Sequence, residues 1–260
     1  MSTFFRVSVC LVITFLLVNG PYGPFVSYVA GVTGSSSSPM AEFLGDNLQT
    51  IRWLSILLAL VSLFSSRYLY ISTTMLAISF GLLNWYCSIS TPGGLWNFNS
   101  HLNFFMVAIA LVEVRKRFWE SNDTFTKQVV YFCQFYVAVF YFQSGISKLL
   151  HTGVTWLDGR TALLFALEMG TEFGAFLANY PWIYSLGSVI IVGFEILFLP
   201  LFLIRAHLEK LVIGAMLLHL SVYLTMDISF WHMWLLFPAL FWEDLKALAK
   251  SKPKLLPNAA

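Results

Sequence analysis

The chain has 260 residues, 58% hydrophobic, 17% aromatic and only 11% charged, with a mean hydropathy of +0.75. A soluble domain carries about a quarter charged residues, so these proportions exclude a water-soluble enzyme and describe a chain dissolved in lipid. The net charge of +2 comes with no basic tract outside the flanks of the apolar runs, so nucleic acid is not an expected partner.

Taken in order, residues 1–30 hold a first apolar helix, 4–18 (FFRVSVCLVITFLLV), and its exit through Asn19-Gly20-Pro21. One basic residue, Arg6, before a run of this length also fits the core of a signal peptide. No small-x-small cleavage pattern precedes Asn19, so a retained helix is expected. Residues 31–47 read as an extracytoplasmic polar loop (GVTGSSSSPM) without a basic residue. The domain proper is expected at 48–242. It has helices at about 48–66, 68–87, 101–113, 128–149, 182–204 and 209–226, then a short apolar segment at about 228–242. Between the fifth and sixth helices of the chain, a polar connection at about 151–181 contains an amphipathic stretch, Arg160 to Glu172, expected along the membrane surface. Residues 243–260 are a basic tail. Each run approaches the roughly 20 residues that a bilayer needs. The fold class expected is an all-α polytopic membrane protein, about eight transmembrane helices in a single bundle.

Orientation follows from lysine and arginine placement. With the N-terminus inside, Arg6, Arg67, Arg115, Lys116, Arg117, Lys127, Arg205, Lys210, Lys246, Lys250, Lys252 and Lys254 fall on the cytoplasmic side. Only Arg52, Lys148 and Arg160 fall outside. The expectation is a multi-pass integral membrane protein with both termini cytoplasmic.

Ionisable groups within apolar helices carry the functional signal, because they usually face a bundle interior or a cavity. Lys148 sits near the outer end of the fifth helix. His101, His151, His219 and Asp227 are expected in the same outer half of the layer. On the fifth helix Gln134, Tyr141, Ser144, Gly145, Lys148 and His151 follow three- and four-residue spacing and form one stripe. Ser144 and Gly145 are small enough to admit a neighbouring helix or a ligand. A lysine at this place also reads as one snorkelling to the headgroups. Glu195 is the most deeply placed carboxyl. A charge there needs a partner, expected in His219 or in another group on the fifth or seventh helix. A neutral hydrogen-bonder between helices is the alternative. His101 and His219 are the pair to consider for haem, although no paired-histidine signature recurs on several helices. Cys10, Cys87 and Cys133 form neither a CxxC motif nor a disulfide framework. No zinc spacing, phosphate loop, GxSxG or HExxH is present, and no metal site is expected.

The run FQSGISKL, Phe142 to Leu149, followed by Trp156 and Gly159, resembles the signature of the vitamin K-dependent gamma-carboxylase-like membrane domain (HTTM, horizontally transferred transmembrane). In that family the run is of the F-x-A-G-V-x-K-L type, then W-x-x-G. Asn99-Ser100-His101 is similar to an N-x-H element of the family, and the segment from His219 to Phe230 to a further histidine-containing one. The resemblance spans roughly residues 50–242 and is most specific at 131–160. Position 147 is serine where the carboxylases have a second lysine.

The resemblance implies a membrane-embedded protein that acts on or binds a quinol-like lipid, or a peptide, from the extracytoplasmic side. It makes Lys148 the general base and His101 a group that orients the hydroxyl or relays a proton. Tyr141, Ser144, His151, Trp156, Glu195, His219 and Asp227 are the residues expected around the substrate. Reduced vitamin K or a related quinol is the implied cofactor, and a secreted peptide an implied substrate. The competing expectation is a non-catalytic accessory membrane protein for maturation, export or immunity of a secreted peptide, which uses the same cavity for binding only. A transporter is less well matched, since inverted repeats and broken helix pairs are missing.

Overall fold

The computed structural model describes residues 3–19, 39–90, 100–119, 123–205, 207–228 and 231–251. Among them every regular element is a helix. The chain divides into two compact units, residues 1–133 and 134–260. Helix α6 runs through the division, and each unit is described by itself.

The first unit contains α1 (Thr3–Asn19), α2 (Pro39–Asp46), α3 (Leu48–Phe64), α4 (Leu69–Ser90), α5 (Ser100–Phe118) and the start of α6 (Asp123–Thr152). In an apolar layer, helix is the open-ended way to satisfy the backbone, since each N–H finds its carbonyl within the same segment. The unit is stitched at helix ends and by small hydroxyls. Arg6 donates to the Ser62 carbonyl at 2.8 Å, and Arg52 to the Leu17 carbonyl at 2.7 Å. Each guanidinium thus meets the carbonyl-rich C-terminal end of the other helix, where a cation is favourable, and α1 and α3 run antiparallel. Between α3 and α4, Ser55 and Ser79 bond at 2.8 Å, and Ser62 and Ser72 at 2.9 Å. Such short side chains let two backbones approach closely.

The second unit holds the rest of α6, then α7 (Val154–Leu157), α8 (Arg160–Met169), α9 (Glu172–Leu177), α10 (Pro181–Leu203), α11 (Leu208–Met226), α12 (Trp231–Leu240) and α13 (Trp242–Ser251). Its turns are legible residue by residue. Gly153 follows α6 in the left-handed conformation (φ 59°), which glycine adopts without strain. Thr171 caps α9 by accepting the Gly174 N–H at 3.0 Å. Pro181 opens α10, where its missing N–H costs nothing. Ala162, Ala166, Tyr184 and Met226 form a buried cluster where α8, α10 and α11 meet.

Among the described residues three helices, α6, α10 and α11, are long and apolar enough to cross a membrane, while α1 and α3 are apolar but shorter. These lengths describe an all-helical membrane protein. Some of the expected boundaries need correcting. The loop assigned to 31–47 contains α2 from Pro39 onward. Helix α5 does not stop at Glu113 but continues through Arg115, Lys116 and Arg117 to Phe118, because lysine and arginine are good helix formers. The short apolar segment expected at about 228–242 does hold a helix, α12, whereas the tail expected from 243 is helical to Ser251 as α13. The polar connection is likewise folded into α7, α8 and α9. The stretches 20–38, 91–99 and 252–260, with the first loop's serines and the last two tail lysines, lie outside the described residues.

Gly159 gives the turn before α8 its test. It has φ 77°, and a Cβ there would overlap the backbone of Tyr184 and Ser185. Gly153 has φ 59° but open space around it. Gly159→Ala should therefore cost about 3 kcal/mol or more, and Gly153→Ala only about 1 kcal/mol. Thermal unfolding of the detergent-solubilised protein reads both. Equal shifts in midpoint would contradict the close approach of this turn to α10.

Candidate functional site

Lys148 belongs to the last two turns of α6. Side chains on a helix lean toward its N-terminus, so the ammonium folds back over Ser144, one turn below, and donates to its Oγ at 2.8 Å. Gly145 occupies the next position. A Cβ at that site would stand 2.9 Å from Ile196 Cγ1 and 3.0 Å from the Glu195 Cβ, so glycine is what lets α10 approach here. That approach delivers Glu195. Its carboxylate oxygens accept from Lys148 Nζ at 2.6 and 2.7 Å, and Ser144 also donates to Oε1 at 3.2 Å. Ammonium, carboxylate and hydroxyl close a triangle.

The triangle is largely withdrawn from the surface. The Lys148 side chain is 18% exposed and that of Glu195 7%. The Trp156 ring lies over the ammonium, with its centroid 5.4 Å from Nζ, a cation–π arrangement. The turn carrying Trp156 is held in place: Ser185 on α10 donates to the Asp158 carbonyl, and Gly159 presses on the same stretch of α10.

One turn toward the start of α6, the same face carries a second polar pair. Tyr141 Oη and His219 Nε2, on α11, are 2.7 Å apart. Aromatic rings surround them. Tyr141 stacks on Phe198 with centroids 4.7 Å apart and 11° between planes, and His219 stacks on Phe237 at 6.0 Å. Phe198 and Glu195 are neighbours on one face of α10, as Tyr141 and Ser144 are on α6. The two polar pairs are thus successive layers of one helix packing.

At the other end of the unit, roughly 21 Å back along α6 at about 1.5 Å per residue, Gln134 is buried and fully engaged. It donates to the Leu240 carbonyl at 3.2 Å and to Asp244 at 3.1 Å, and accepts from Arg205 at 3.3 Å. Arg205 also pairs with Asp244 at 3.1 Å. The sequence offers Gln134 as part of a stripe, but Arg205 reads as a water-facing flank and Asp244 as part of a tail. The signal missed is that both charges follow the ends of apolar helices, Arg205 after α10 and Asp244 after α12.

No protein-family model, curated protein or solved structure matches the chain. The site therefore stands on its own geometry.

The residues expected around Lys148 sort as follows. Ser144, Trp156 and Glu195 meet it directly, and Tyr141 and His219 form the adjoining layer. His151 is exposed on the last turn of α6, off the buried stripe. Asp227 is exposed as the left-handed C-cap of α11 (φ 53°). His101 is buried in the first unit, edge-on to Phe105 with centroids 6.1 Å apart. Of the partners expected for Glu195, His219 or another group on the fifth or seventh helix, it takes the fifth helix's lysine rather than His219. The lysine is long enough to fold back one turn, whereas the histidine is engaged by Tyr141. Through that bond His219 commits one of the two nitrogens that could ligate haem iron. Among the described residues no group of three or more His, Cys, Asp or Glu is placed to hold a metal ion.

Removing one member of a buried ion pair leaves the other charge uncompensated, at a cost of about 3–5 kcal/mol, whereas replacing both with apolar groups is often neutral. Lys148→Met and Glu195→Leu should each lower the unfolding midpoint sharply, and the double variant should recover most of the loss. Additive losses would show that the two side chains do not form one unit.

Proposed function

We propose that this is a multi-pass membrane protein of about eight spans, both termini cytoplasmic. In this reading it binds and acts on a lipid-soluble quinol-like molecule at Lys148, in the manner of the gamma-carboxylase-like membrane domain that residues 142–159 resemble. One observation carries the proposal: Lys148 and Glu195 meet at 2.6 Å within apolar helices. Two charges placed there are costly to desolvate and are poor stabilisers, which favours a chemical use for them. The amine is shielded yet not sealed, so a hydrogen-bonding head can reach it beneath Trp156. A quinol supplies an acidic hydroxyl.

Glu195 then gives the lysine its chemistry. In this reading Glu195 takes one proton from Nζ along the 2.6 Å contact, which leaves a free amine beside a neutral acid. The free amine takes the hydroxyl proton of the ligand and becomes an ammonium again, within hydrogen-bonding reach as general base catalysis requires. Ser144 holds the Nζ orientation through both states. Tyr141 and His219 support this layer from beneath. His101 takes part on the strength of the resemblance alone.

A second reading has an observation of its own. The three Nζ protons can all be used by Ser144 and the two Glu195 oxygens, which suits a lock rather than a base. The protein would then bind a lipid or peptide as an accessory factor in maturation, export or immunity, without turnover.

Incubation of the purified protein with reduced naphthoquinone, bicarbonate and oxygen separates the two. The enzyme reading expects epoxide or carboxylated product from the wild type and at least a hundredfold less from Lys148→Ala that retains its fold. Saturable binding without product supports the accessory reading. Full activity in folded Lys148→Ala would sink the role given to the amine.

A further inference from the structure

The segment between α6 and α10 cannot span a bilayer: α8 has 10 residues and α9 has 6. It is nonetheless fastened at several points. Tyr184 on α10 donates to the Gly174 carbonyl at 2.8 Å, and Thr171 donates to the Leu224 carbonyl on α11. Gly170 and Gly174 both bring their backbone against the Thr225 carbonyl, closer than any Cβ would allow. The inward face is accounted for by Ala162 and Ala166 in the buried cluster.

The outward face is not polar. Leu164 and Leu167 on α8, Phe173 and Phe176 on α9 and Trp182 at the start of α10 are each more than half exposed, and Tyr180 lies edge-on to Phe176 with centroids 6.0 Å apart. Arg160, Glu168 and Glu172 are exposed on the same two helices. A water-facing helix shows polar residues on the side away from its core, so large apolar side chains exposed there among a few charges mark an interaction surface. Its level in the unit says with what. The fastening points are the first turn of α10 and the last turn of α11, two helices long and apolar enough to cross a membrane. That is where a span leaves the hydrocarbon, and where tryptophan and tyrosine collect.

We propose that α8, α9 and the start of α10 form a collar whose outward face is embedded in the lipid leaflet, at the boundary between headgroups and acyl chains. The partner is the lipid surface itself. The apolar side chains enter the acyl region, while Arg160, Glu168 and Glu172 stay at the headgroups. The collar also sets a depth. Lys148 lies about one turn, roughly 6 Å, before the end of α6, and its ammonium sits under Trp156 of the same connection. The ion pair is therefore held at this boundary rather than at the bilayer centre. The inference needs α10 and α11 to span, and is independent of any turnover at Lys148.

Nitroxide labels on Leu167→Cys, Phe173→Cys and Phe176→Cys in the full chain, in phosphatidylcholine nanodiscs, test it, with Arg160→Cys as the headgroup reference. The native cysteines Cys10, Cys87 and Cys133 are buried and serve as the background for labelling. At the three apolar positions, collisions with oxygen should exceed those with a water-soluble nickel complex, at a depth of about 5–10 Å, while position 160 favours nickel. Nickel access at all four positions would overturn the proposal in favour of a water-facing cap. Exclusion of both reagents from 167, 173 and 176 would overturn it in favour of a second copy or another protein on this face.

Discussion

An ammonium and a carboxylate held against each other inside apolar helices is the constraint that orders the second unit. Neither charge is stable there without the other, and the pair forms only if α6 and α10 come close. Gly145 permits that approach, since a Cβ at this position would meet both Ile196 and Glu195. Ser144 on the same turn ties the two charges together through its hydroxyl. Two small residues and two charged ones thus define one contact. The Tyr141–His219 layer repeats the arrangement a turn away with aromatic partners, and the Gln134–Arg205–Asp244 cluster does so at the far end. These polar groups are engaged between helices, as the apolar setting requires.

The short helices after α6 complete the arrangement. Trp156 covers the ammonium because its turn is pressed onto α10 by Gly159 and bonded there by Ser185. The same connection supplies α8 and α9. The cover over Lys148 and the exposed apolar side chains of α8 and α9 are therefore carried by one stretch of chain. This shared origin is what makes a lipid-borne ligand a fitting occupant in the proposed function.

How far the sequence foretold this depends on what each feature is made of. Helix α11 was expected at about 209–226 and spans Leu208–Met226, because a long apolar run bounded by charged residues defines itself. The stripe on α6 was legible from its three- and four-residue spacing, and Tyr141, Ser144, Gly145 and Lys148 do share the packed face. His151 does not: it lies on the last turn of α6 and is exposed. That Glu195 needs a partner on the fifth or seventh helix was legible, but which residue it would be was not. Glu195 lies 47 residues from Lys148, and periodicity within one helix says nothing about which residue of another it meets. Helices α8 and α9 were seen only as an amphipathic stretch, since their ends are set by tertiary bonds to α10 and α11. The polar cluster at Gln134 was missed for the same reason: Arg205 and Asp244 acquire meaning only when two helix ends are brought together.

The proposed function makes Lys148 the atom that a ligand must meet. A structure of the full protein in nanodiscs saturated with reduced naphthoquinone examines that directly. A ring hydroxyl is expected within hydrogen-bond distance of Lys148 Nζ, roughly 2.6–3.2 Å, beneath the Trp156 ring and with at least one of the Glu195 contacts opened. A ligand bound elsewhere, with the Lys148–Glu195–Ser144 triangle intact, would contradict it and leave the pair as a lock between α6 and α10.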